Sequence, residues 1–125
     1  MHVVGAAAND PTDEVLLPRD AAGRPELIVC AVPYLRDREL RTAEAGETLA
    51  DKERKLLDGL RAHYAAAGAA AERLQADAGG DVPIVGMGHL FTAGGQTLEG
   101  DGVRELYVGT LAHVHASLFP ACMDY

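Results

Sequence analysis

The chain has 125 residues, 48% of them hydrophobic and 24% charged, with eleven basic residues against nineteen acidic ones and a net charge of −8. That length fits one domain able to bury roughly two-thirds of its unfolded surface, and the composition excludes a collagen-like repeat, a disulfide scaffold and a long disordered tail. Phosphate contacts need clustered Lys and Arg, so an acidic chain with only Lys52 and Lys55 as lysines is a poor free-standing binder of nucleic acid.

No stretch approaches the roughly 20 apolar residues of a membrane span. Met1-His2-Val3-Val4 lacks the basic region and apolar run of a secretory signal. Cys30 and Cys122 lie far apart, and both read as reduced thiols of a cytoplasmic protein.

In chain order, His2 to Gly5 reads as a short strand and Asn9-Asp10-Pro11 as a turn. Val15 to Leu17 and Leu27 to Val32 are apolar runs around a loop holding Gly23 and Pro25, which suggests a hairpin. Pro33 ends the second run. Pro33 to Glu47 is polar and reads as a structured connection with a helical turn. Leu49, Leu56, Leu57, Leu60, Tyr64, Ala67, Ala71 and Leu74 then recur at helical spacing. Thr48 with Asp51 fits an N-cap, and Gly79-Gly80 stops the pattern. The expectation is one amphipathic helix over about 49–78, weakened slightly by Gly59 and Gly68. Val82 to Met87 follows as a strand, Thr92 to Gly95 as a flexible segment and Val103 to Val108 as another strand, so the chain reads as α/β. Phe119-Pro120 is a stop within the mixed C-terminal stretch.

His89 is the first candidate for chemistry. It follows Gly88 at the expected carboxyl end of a strand, where ligand sites of α/β folds collect. The glycine lets the backbone approach a neighbouring group closely. Imidazole is a common ligand for manganese, zinc or iron. From these two residues alone a metal ligand and a plain loop histidine both stand. His113-Val114-His115 puts two imidazoles on one face of a strand, but two ligands without an acidic neighbour make no catalytic site. His63 and His2 read as solvated. Arg36, Arg38 and Arg41 alternate with Asp37 and Glu39, the mark of a solvated, self-paired face. Gly94-Gly95 lacks the spacing of a phosphate loop, and Ser117, the single serine, is not placed as a nucleophile.

Four stretches, in order, resemble the SbcD-type nuclease proteins of bacteria, members of the calcineurin-like metallophosphoesterase superfamily. They are Cys30-Ala31-Val32-Pro33-Tyr34-Leu35-Arg36-Asp37-Arg38-Glu39-Leu40-Arg41, the helix with His63-Tyr64, the run from Pro83 through Gly88-His89-Leu90 to Gly95, and Val103 to Leu111. Phe119-Pro120 and Asp124-Tyr125 continue the likeness, which covers about residues 2 to 125. The resemblance implies a partial metallophosphoesterase β-sandwich flanked by helices. It also implies two-metal phosphodiester hydrolysis, with manganese (Mn2+) as the usual ion. Of the family's five ligand motifs it carries over one, Gly88-His89, and makes His89 a metal ligand. Three motifs would precede Met1 and one would follow Tyr125. The expectation is therefore that residues 1–125 form the central part of a nuclease domain truncated at both ends, inactive alone. The parent would act on DNA ends and hairpins in recombination and repair, as a homodimer working with the SbcC ATPase in the cytoplasm. Two other readings are a non-catalytic interaction module and a different metallophosphoesterase, acting on nucleotides or phosphoproteins.

Overall fold

The computed structural model describes residues 2–90, 92–93 and 114–124. A short 3-10 turn, Pro11–Glu14, is capped by the Asp10 side chain, which accepts from the Thr12 amide. It leads into β1 (Val15–Leu16), which pairs antiparallel with β2 (Ile28–Ala31), Val15 facing Cys30. This is the expected hairpin. Its connection closes on Gly23 at a φ of 80° and on Asp20, whose carboxylate accepts from the Ala22 and Arg24 amides.

After β2 comes α1 (Asp37–Leu40), the expected helical turn, and then the long α2 (Leu49–Asp77). α2 begins where the sequence says it should. The Asp51 amide donates to Thr48 Oγ1 at 3.1 Å, and the Thr48 amide donates back to Asp51 Oδ2 at 3.3 Å. It ends at Gly79 and Gly80, both in the left-handed region with φ of 106° and 93°. The Gly80 amide donates to the Gln75 carbonyl at 2.9 Å.

From that stop the chain enters β3 (Ile84–Met87), which runs parallel to β2 with Ile28 facing Ile84 and Ala31 facing Met87. The unit β2–α2–β3 is therefore a strand–helix–strand crossover in a sheet of order β1–β2–β3. The C-terminal stretch extends this sheet. Asp124 bridges Val85 in parallel, its amide donating to the Ile84 carbonyl and its carbonyl accepting from the Gly86 amide. β4 (Thr92–Ala93) and β5 (Val114–His115) form a separate parallel pair.

The core lies between α2 and one face of the sheet. Ile28, Cys30 and Ile84 point at Leu60, Tyr64, Ala67 and Ala71, and Val114, Leu118 and Met123 close the cluster. Alternation explains the choice, since Ile28 and Cys30 are buried while Val29 and Ala31 are half-buried on the opposite face. The small residues of α2 let it come close: Cys30 Sγ sits 3.8 Å from the Ala67 carbonyl.

Gly59 has a similar reason. A Cβ there would collide with the Leu40 carbonyl at the end of α1. Alanine in a helix interior normally gains about 1 kcal/mol over glycine. Here the overpacking term of roughly 1–3 kcal/mol opposes it. Gly59→Ala is therefore expected to lower the urea midpoint, and a raised midpoint would contradict this packing.

Arg41 is a correction to the solvated arginine face. Its side chain is only 8% exposed and pairs with Asp37 at 2.8 Å and Glu47 at 2.6 Å. Lys55 also reaches Glu47 at 2.7 Å, so the loop before α2 is tied to the helix. Lys55 and then Arg41 hold the Glu47 carboxyl below the usual carboxylate range.

Three other expectations change. His2 to Gly5 forms no strand; His2, Val4 and Gly5 line a cleft instead of joining the ladder. Thr92-Ala93, read as part of a flexible segment, is the short strand β4. The strand expected over Val103 to Val108 lies outside the described residues. Among the described residues, the small sheet and long helix establish a mixed α/β chain, and no helix is long and apolar enough to cross a membrane.

Candidate functional site

Because β2 and β3 are parallel, both deliver their following residues to the same end of the sheet. After β2 come Val32, Pro33 and Tyr34; after β3 come Gly88 and His89. These residues, with His2 and Gly5, line a cleft of about 460 Å³. His89 is exposed there. The Tyr34 ring meets it edge-on, with centroids 5.6 Å apart and planes at 84°. Tyr34 is itself 44% exposed and Met87 58% exposed, so the cleft has an apolar wall beside its imidazole.

The position of Gly88 has a specific cause. Tyr64, on α2, is 2% exposed and reaches under the corner after β3. A Cβ on Gly88 would collide with the Tyr64 hydroxyl. The glycine thus gives the close approach expected of it, and the neighbour is a phenol. Burial first, then the nearby Glu14 carboxyl, push the Tyr64 hydroxyl well above its ordinary value, so it stays protonated at any working pH.

The other histidines go elsewhere. His63 is not solvated: its Nε2 lies 2.7 Å from Glu14 Oε2, and its side chain is 11% exposed. Glu14 is fully buried, and its other oxygen accepts from the Ala8 amide at 2.9 Å. This pair fastens the N-terminal stretch to α2 and was missed because the two residues are 49 positions apart. His115 is exposed, its Nδ1 accepting from the Ser117 amide at 3.2 Å, which is a local turn contact. His113 lies outside the described residues. His2 is exposed at the rim of the same cleft as His89.

Both cysteines are free thiols, as expected. Burial, with a smaller contribution from Cys122, pushes the Cys30 thiol up to about 11. Cys30 is therefore expected to resist thiol-labelling reagents at pH 8 in the folded chain and to react after urea is added; labelling as fast as a free cysteine would contradict its burial. The unfolded thiol ionises near its ordinary 9 while the folded one waits until about 11. The contribution of Cys30 to stability is thus present below pH 9 and lost as pH rises through that window.

A two-metal centre needs several convergent donors. Among the described residues no group of three His, Cys, Asp or Glu side chains could hold a metal ion. His89 offers one imidazole, and among the described residues no carboxylate lines its cleft. The described residues therefore do not fit such a centre by themselves.

Over 123 residues the chain is 36% identical to the SbcD component of the SbcCD nuclease of Escherichia coli strain K12, and equally to that of Escherichia coli O157:H7. The match covers 98% of this chain and 28% of each relative. The chain is thus an SbcD-like sequence along nearly its whole length and spans less than a third of its relatives. No family model matches it.

Proposed function

From this SbcD-like relationship we propose that the chain forms part of a cytoplasmic, metal-dependent DNA nuclease, in which His89 supplies one imidazole to a metal site. The observation that carries this reading is the place of His89. It stands exposed behind Gly88, in the cleft at the shared carboxyl end of two parallel strands. Manganese is the ion proposed, with its remaining ligands coming from outside the described residues. The sheet would be one layer of a metallophosphoesterase sandwich, its half-buried face with Val29 and Ala31 turned to the second layer. Exonuclease and endonuclease action on DNA, an SbcC-type ATPase partner, a homodimeric parent and a role in recombination and repair belong to the same proposal. The acidic charge suits it, because metal ions and other segments would meet the phosphates.

The test is a chimera. The 123 matching residues replace their counterpart in the Escherichia coli SbcD protein. Manganese-dependent cleavage of linear duplex DNA, measured with the SbcC partner, is the expected result. A folded chimera that cleaves no DNA would overturn the proposal. For the chain by itself the lack of converging ligands among the described residues favours a non-catalytic reading. Alone it is expected to leave DNA intact.

A further inference from the structure

Tyr64 carries an oxygen that the core does not need. Its ring packs edge-to-face on Phe119, with centroids 4.9 Å apart. Its hydroxyl is buried and has no hydrogen-bond partner among the described residues. A phenylalanine would bury the same ring without desolvating a hydroxyl, and buried polar groups are otherwise nearly always paired. What distinguishes this oxygen is its place. It fills the space that any side chain at position 88 would take, directly under the corner that presents His89.

We propose that Tyr64 is a positioning residue: its hydroxyl, wedged beneath Gly88, sets the corner after β3 and so fixes where the His89 imidazole stands in the cleft. Tyr34 meets that imidazole from the open side, edge-on at 5.6 Å. The ring is thus located from two directions, by an aromatic edge in the cleft and by a phenol oxygen under its backbone. Tyr64 acts through Gly88 and touches no reacting atom. The inference rests on the reading of His89 as the functional group of the cleft, but its test does not use activity.

The experiment compares the full chain with Tyr64→Phe, Gly88→Ala and the double variant, by NMR of the His89 ring and by thermal unfolding. Tyr64→Phe is expected to keep the fold, with Tm unchanged or raised by roughly 2–4 °C as the orphaned hydroxyl is removed. The His89 ring signals are nonetheless expected to move, and the cross-relaxation between the His89 and Tyr34 rings to weaken. A Tyr64 whose ring alone mattered, as core filling, would not shift those signals. Gly88→Ala is expected to lower Tm in the parent and to lower it less beside Tyr64→Phe, because the colliding oxygen is gone. Unmoved His89 signals in Tyr64→Phe, or additive losses in the double variant, would overturn the proposal. The metal reading is judged separately: a chimera still active with His89→Ala sinks that reading and leaves these spectra as they are.

Discussion

His89→Ala in the SbcD chimera is expected to lower manganese-dependent DNA cleavage by at least about 100-fold, the upper end of what losing even an outer-sphere partner costs a metal site. The fold should survive the change. His89 is exposed, and its one described ring contact is the edge of Tyr34, so removing it opens no cavity in the core. Circular dichroism and Tm should match the unsubstituted chimera. His89→Gln would keep a polar side chain of similar reach without the imidazole, and should be nearly as damaged. Full activity in either variant would remove His89 from the site.

Glu14→Ala is expected to destabilise the chain itself strongly, by about 3–5 kcal/mol. Glu14 is fully buried, and its two oxygens serve the Ala8 amide at 2.9 Å and His63 Nε2 at 2.7 Å. Alanine strands both partners and leaves a hole against α2. Domains of this size have a total stability on the order of 5–15 kcal/mol, so a large share disappears. Glu14→Gln keeps the volume and one acceptor, and is expected to cost less, about 1–2 kcal/mol. Urea unfolding with an unchanged slope measures both. A loss below about 1 kcal/mol for Glu14→Ala would show that the pair does not anchor the N-terminal stretch.

What could be read from the sequence follows the range of each interaction. Thr48 caps α2 through a residue three positions on, and Gly79-Gly80 ends it through the backbone conformation of those residues themselves. Such signals are local, and so α2 falls where its periodicity places it. The hairpin of β1 and β2 is nearly as local, with Gly23 in its connection. His2 to Gly5 shows the opposite case. Its apolar residues resemble a strand, but among the described residues it joins no ladder, and it turns to the cleft. The Glu14–His63 pair spans 49 positions, and on a helix wheel His63 looks like any polar residue facing water.

The candidate site was legible in part. Gly88-His89 after an apolar run pointed to the carboxyl end of a strand, and the parallel register of β2 and β3 puts it there. Tyr34 beside the imidazole and Tyr64 beneath its glycine were not legible. Tyr34 comes from the loop after β2, and Tyr64 reads simply as one more apolar position of α2. Only the crossover brings the three together.

The most direct measurement of the central claim is anomalous diffraction at the manganese edge from crystals of the chimera. The expected result is a manganese peak in coordination contact with the His89 imidazole, in the cleft bordered by Tyr34 and Gly88. A cleavage-competent chimera whose manganese lies away from His89 would contradict it.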